Sequence, residues 1–89
     1  MSDPVFGDAE LEFPVDVQFR IIAEDIPGIK FVIETVLFEM GIEQSLRFGQ
    51  FSANAKYISF SVDIRVLSRE MLNKIDFELR NVQGVRMVL

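Results

Sequence analysis

The chain has 89 residues, no cysteine and no histidine, and its 14 acidic and 9 basic residues give a formal net charge of -5. The length predicts one domain, and the missing residue types exclude a disulfide framework, a thiolate metal site and the common nucleophile–base pairs. The bases are scattered, no apolar run could span a bilayer, and the first residues do not resemble a signal peptide. We expect a cytoplasmic, non-catalytic protein with no cofactor, metal, nucleic-acid or membrane partner.

Residues 1–12 carry four acids together with Pro and Gly, and they show no sustained hydrophobic period. They predict an acidic N-terminal arm ahead of a single domain over residues 13–89. Apolar residues then alternate with polar ones from Val15 to Ile21, which predicts a half-buried strand. The segment Glu24–Gly28 ends that strand.

A first helix is predicted to begin at Ile29, because apolar residues recur at helical spacing from there to Met40. We expect Asp25 to be its N-cap, with Pro27 in the first turn. Gly41 is expected to end the helix in the left-handed conformation.

A weaker strand is predicted over Glu43–Phe51, with Leu46 and Phe48 on one face and Gly49 at a bulge or an edge position. Residues 52–56 predict a hairpin loop.

The clearest alternation in the chain runs from Tyr57 to Val66 and predicts a third strand. Ser68 is expected to cap a second helix, whose apolar face runs from Met71 to Val82. A short strand over Val85–Leu89 is the last predicted element.

This order of elements predicts an α+β, ferredoxin-like βαββαβ sandwich. Its antiparallel sheet would have the strand order 4-1-3-2, with two helices on one face. The other face is expected to be open and polar, with Asp16 near Arg65 and Arg20 near Asp63. The expected open-face residues are Asp16, Gln18, Arg20, Ser59, Ser61, Asp63 and Arg65.

The segment from Arg20 to Ile42 resembles the start of ACT domains, because a strand leads through Asp25-Ile26-Pro27-Gly28 into an amphipathic helix that ends in Gly41-Ile42. ACT domains are regulatory modules that often pair and bind amino acids at the strand–helix turn. The resemblance implies a ligand site at Asp25, Pro27, Gly28 and Ile29. Simple turn chemistry is the alternative explanation, and Glu24 and Asp25 would repel a carboxylate.

Nearly the whole chain also resembles the YbeD-like family of small bacterial proteins. The resemblance is carried by Glu12-Phe13-Pro14, Lys56-Tyr57-Ile58-Ser59, Ser68-Arg69-Glu70 and Val85-Arg86-Met87-Val88-Leu89. It implies a ferredoxin-like fold similar to ACT domains, and it implies no catalytic residues. Ala55 stands where such hairpins usually carry glycine.

Three phenylalanines, Phe31, Phe38 and Phe77, fall outside the apolar stripes of their helices. Either the arm around Val5 and Phe6 covers them, or the stripes are wide, or the rings form a contact surface for a partner or a second copy.

Two functions follow from these patterns. The first is a regulatory or metabolite-sensing ACT-like module that pairs as a homodimer. The alternative is a protein-interaction domain with no small ligand, which docks through its phenylalanine-bearing helix face or an edge strand.

Overall fold

The computed structural model describes residues 12–51, 54 and 56–89. Its six elements are β1 (Val15–Glu24), α1 (Ile29–Glu39), β2 (Arg47–Phe51), β3 (Tyr57–Val66), α2 (Arg69–Arg80) and β4 (Val85–Val88). All but the last residue of the predicted arm, and most of the predicted hairpin loop, lie outside the described residues. The division of the chain at residue 12 therefore stays a prediction.

The four strands form one antiparallel sheet in the order β2-β3-β1-β4. This is the predicted order read from the opposite edge, so the ferredoxin-like fold is confirmed. The central strands β1 and β3 pair along their full lengths, from Val15 opposite Val66 to Glu24 opposite Tyr57.

The core lies between one face of this sheet and the two helices. Side chains alternate between the faces of a strand, and Phe60 is buried on the same side as Val17, which packs against the core. Buried polar or charged residues are absent from the described part of the chain. The helices contribute the buried residues Ile29, Ile33 and Leu37 from α1 and Leu72, Ile75 and Leu79 from α2.

The opposite face of the sheet is polar, as expected. The Arg65 guanidinium lies 3.2 Å from the Asp16 carboxylate, which confirms that predicted pair. The predicted approach of Arg20 to Asp63 is wrong. The register places Arg20 two residues from the position opposite Asp63, and Asp63 instead pairs with Arg47 of β2 at 3.1 Å.

The two helices begin differently. Ser68 caps α2 as predicted, because its Oγ accepts a hydrogen bond from the Met71 amide at 3.1 Å. The expectation that Asp25 caps α1 is wrong. The N-cap position is Gly28, with φ of 78°, and no side chain caps this helix. Asp25 lies three residues too early, still within the turn that leaves β1. Gly41 follows α1 with φ of 84°, the left-handed conformation that was predicted.

The second strand begins at Arg47 rather than at Glu43. The Leu46 amide donates to the Glu34 carboxylate at 2.9 Å, so the chain reaches the sheet only after this contact with α1. β2 is an edge strand, and all five of its residues are exposed. Phe48 lies opposite the buried Phe60 of β3, but at this edge it is 53% exposed, whereas Leu46 is 4% exposed.

A bulge in β2 depends on Gly49. The register between β2 and β3 shifts between Phe48 and Gln50. A Cβ atom at position 49 would collide with the Ser59 hydroxyl, and that hydroxyl accepts a hydrogen bond from the Gln50 amide at 3.1 Å.

We expect Gly49→Ala to lower the free energy of unfolding by about 1–3 kcal/mol, because the added methyl group must displace the Ser59 side chain. Urea denaturation measures this change. The double variant Gly49→Ala/Ser59→Ala should recover part of the loss, and Ser59→Ala alone gives the cost of the lost hydroxyl. A double variant as unstable as the sum of the two single variants would contradict this account.

Candidate functional site

The turn between β1 and α1 forms one wall of a pocket of about 470 Å³. The pocket is lined by the continuous segment Asp25–Lys30 and by Phe48, Ile58 and Phe60 from β2 and β3. Backbone hydrogen bonds hold the turn in place: the Asp25 amide donates to the Lys56 carbonyl at 3.0 Å, and the Ile26 amide donates to the Glu24 carbonyl at 2.9 Å. All four residues of the predicted ligand site therefore line one cavity.

The N-terminus of α1 lies at this turn pocket. The Ile29 amide already donates to the Ile26 carbonyl at 3.2 Å, so the amides of Lys30 and Phe31 are the first-turn donors that remain. The first amides of a helix have no acceptor within the helix, and the helix dipole adds positive potential there. α1 has neither a side-chain cap nor an acidic residue in its first turn. By contrast, α2 has both, in Ser68 and Glu70. The turn pocket thus combines an apolar wall with amides that favour an anionic group.

The sequence predicted that Glu24 and Asp25 would repel an anionic ligand at the turn, but in the structure one of these carboxylates is paired with a basic residue. Glu24 forms an ion pair with Arg86 of β4, so its carboxylate no longer repels an anion as strongly as its sequence position suggested. Glu24, Asp25 and Arg86, together with Ile26, Lys56 and Tyr57, line a cavity of about 320 Å³ beside the turn pocket. Acidic and basic groups therefore both lie within reach of a ligand bound at the turn.

Most of the apolar wall of the turn pocket was not predicted from the sequence. Phe48 belongs to the predicted second strand, and Ile58 and Phe60 belong to the alternating run of the third, and only the strand pairing brings them to the turn. Their shared inward parity was the available signal. The exposure of Phe48 shows that no helix covers this end of β2.

The three outward phenylalanines are exposed in the structure, at 73% for Phe31, 64% for Phe38 and 63% for Phe77. Phe31 and Phe38 line a second cavity, of about 650 Å³, between α1 and residues 43–45. Phe77 is not part of its lining. The structure therefore brings two of the three predicted contact residues to one groove.

Glu34 ties α1 to the segment that leads into β2. Its Oε2 accepts hydrogen bonds from the Leu46 amide and from Lys30 Nζ, each at 2.9 Å. Burial alone would raise the pKa of Glu34, but the Leu46 amide and the Lys30 ammonium together outweigh burial and hold that pKa below its usual value of 4.5.

In the part of the chain that the structure describes, no three acidic side chains are grouped so that they could hold a metal ion. Nor is either described helix long and apolar enough to cross a membrane.

The sheet order and the two helices on one face define a ferredoxin-like fold of the ACT-like kind. The chain belongs to the DUF493 family, described as proteins of unknown function, which it matches over residues 8–89. The resemblance to the YbeD-like family is thereby confirmed.

Solved structures support the same fold. The chain is similar to HP0495 of Helicobacter pylori, with 22% identity and a TM-score of 0.76 over 92% of this chain and 91% of that one. It is also similar to the ACT domain of GTP pyrophosphokinase from Chlorobium tepidum, with 26% identity and a TM-score of 0.63 over 83% of this chain and 94% of that one. No curated protein matches the chain.

We expect Glu34→Gln to destabilise the protein at pH 7 by roughly 0.5–1.5 kcal/mol, because the amide keeps an acceptor for Leu46 but loses the charge that faces Lys30. A carboxyl group whose pKa is lower in the folded than in the unfolded chain stabilises the fold above the unfolded pKa. That stability disappears as the pH falls through the folded pKa. The difference between the two proteins should therefore shrink as the pH falls from 7 to below the folded pKa of Glu34.

Urea denaturation across this pH range makes the measurement. Glu43→Gln removes a nearby carboxylate that makes no ion pair with a described residue, so it controls for net charge. A stability difference for Glu34→Gln that stays constant with pH would contradict the charge-based explanation.

Proposed function

We propose that this chain is a non-catalytic regulatory module that senses a small metabolite in the turn pocket. The observation that carries the proposal is that the apolar wall of the turn pocket adjoins the N-terminus of α1, which no side chain caps. Similarity to the ACT domain of GTP pyrophosphokinase from Chlorobium tepidum supports a regulatory role. The absence of histidine and cysteine from the sequence agrees with a role that involves no catalysis.

The turn pocket supports a ligand that has an anionic group and an apolar body. The Lys30 and Phe31 amides in the first turn of α1 would bind the anion, because the Ile29 amide already donates to the Ile26 carbonyl. The side chains of Phe48, Ile58 and Phe60 would contact the apolar part. Asp25 at the rim offers a carboxylate to an ammonium group, so amino acids are the ligands to test first. Gly28 allows the backbone to approach the ligand without a side chain in between.

The proposal extends to location and assembly. We propose that the module is cytoplasmic and pairs with a second copy. The exposed edge strand β2 supports pairing, because its outer backbone groups have no neighbouring strand in the described sheet.

A second candidate function is an interaction domain that binds no small ligand. The specific observation in its favour is the exposure of Phe31, Phe38 and Phe77, three large apolar side chains on the helical layer. The two candidates predict different results when the protein is tested against a panel of small ligands. The sensing module should be stabilised by at least one of them, and the interaction domain by none.

We expect at least one amino acid or small carboxylate in a thermal-shift panel to raise the melting temperature. A ligand at one hundred times its dissociation constant adds about 2.7 kcal/mol to the free energy of unfolding. Phe48→Ala should reduce this ligand-induced shift because it removes part of the apolar wall, and Gly28→Val should abolish it because the side chain would enter the approach path.

Phe77→Ala is the matched control, since it removes an exposed ring that does not line the turn pocket. Each shift is compared with the same variant without ligand, so that a loss of basal stability is not mistaken for a loss of binding. A flat panel would contradict the sensing function, as would a ligand whose shift persists in both pocket variants. If the panel is flat, the interaction-domain candidate remains.

A further inference from the structure

The groove beside α1, here the α1 groove, is formed by Phe31, Glu34, Thr35, Phe38, Ile42 and residues 43–45. It encloses about 650 Å³ and shares no lining residue with the turn pocket. An inference about its occupant therefore does not depend on the proposed sensing function.

Two exposed rings dominate the α1 groove. Phe31 and Phe38 are seven residues apart on α1, so they lie about 10 Å apart along its axis. The buried side chain of Ile42 provides an apolar floor near Phe38. A concave surface with two apolar contact points at this spacing matches the side chains that a helix presents at positions i, i+3, i+4 and i+7.

The charge of the α1 groove is acidic. Glu34 and Glu43 line it, and the nearby Lys30 is already paired with Glu34 at 2.9 Å. Glu43 forms no ion pair with any residue that the structure describes. An incoming Lys or Arg would therefore find an available carboxylate beside the rings.

This charge disfavours two other occupants. A second copy docked face to face would bring the glutamates of two grooves together, and like charges at an interface cost binding energy. The N-terminal arm of the same chain contributes Asp3, Asp8, Glu10 and Glu12 and no basic residue. A second copy and the N-terminal arm would therefore each place acidic groups against the acidic α1 groove.

We propose that the α1 groove binds a basic amphipathic helix of another protein, with two apolar anchors against Phe31 and Phe38 and a Lys or Arg facing Glu43. The apolar anchors supply most of the affinity. The basic residue sets specificity and speeds association, as is usual for charges at the rim of an interface.

Two synthetic peptides test the proposal directly. Both are 18-residue amphipathic helices with Leu at i, i+3, i+4 and i+7 on one face; one carries Lys on the remaining face and the other carries Glu at the same positions. We expect the Lys peptide to bind the full chain in fluorescence anisotropy at least about tenfold more tightly than the Glu peptide, with an affinity that falls as salt rises. Equal binding of both peptides, or binding of neither, would overturn the proposal.

Three serine variants locate the binding surface. Phe31→Ser and Phe38→Ser should each weaken Lys-peptide binding at least about tenfold, since each removes a buried ring from the complex. Phe77→Ser is the matched control, because it removes an equally exposed ring outside the groove, and it should leave the affinity unchanged. Equal losses in Phe77→Ser and Phe38→Ser would show nonspecific adhesion and overturn the assignment to this groove.

Glu43→Lys should reverse the preference between the two peptides. Circular dichroism of every variant separates lost binding from lost folding, and only folded variants are compared. Light scattering tests the competing occupant: a wild-type dimer that becomes monomeric in Phe31→Ser and Phe38→Ser would assign the groove to a second copy and overturn the proposal.

Discussion

The antiparallel pairing of β1 with β3 determines where almost every other feature of this domain lies. Ten residues of each strand are in register, from Val15 opposite Val66 to Glu24 opposite Tyr57. Because side chains alternate, a shift of one residue would turn the apolar face toward solvent and the polar face toward the helices. The fully buried Phe19 and Val62, which lie opposite each other, are held in place by this register.

The same pairing brings the candidate site together. β1 and β3 meet at the end where Glu24 lies opposite Tyr57, and there the Asp25 amide is bound by the Lys56 carbonyl. The chain must then turn sharply to return as α1 over the sheet, and Gly28 adopts the positive φ of that turn. The turn thus lies against Ile58, the next inward-facing residue of β3. A pocket at this position follows from strand register and helix entry together.

The sequence was sufficient for the features that depend on local periodicity. Alternation over Tyr57–Val66 and the Ser68 cap depend on neighbouring residues, and both were predicted correctly. Features that depend on diagonal neighbours or on an edge strand were not predicted correctly. The ion pair between Asp63 and Arg47 joins β3 to an edge strand whose register is shifted at a bulge, and no pattern within either strand encodes that shift.

The candidate site likewise has a part that local sequence predicts and a part that depends on contacts between distant residues. The segment Asp25–Ile29 was predicted because its turn chemistry is contiguous in the chain, whereas Arg86 lies 62 residues from its partner Glu24. The mistaken cap at Asp25 has a related cause. An acidic residue ahead of a proline resembles a cap in sequence, but the backbone hydrogen bond to Lys56 holds Asp25 in the strand-end turn and leaves Gly28 as the N-cap of the helix.

α1 connects the two surfaces that carry the proposals. Its first turn borders the turn pocket, and Phe31, which follows Lys30 directly, begins the α1 groove. A ligand that binds the first-turn amides would reduce fraying at this end of the helix, where no side chain caps it. Phe31 would then be held more firmly for a partner helix. Coupling of this kind is reciprocal, so a partner in the α1 groove would strengthen ligand binding at the turn by the same factor. The uncapped start of α1 therefore lies between the turn pocket and the α1 groove, where binding at one would be coupled to binding at the other.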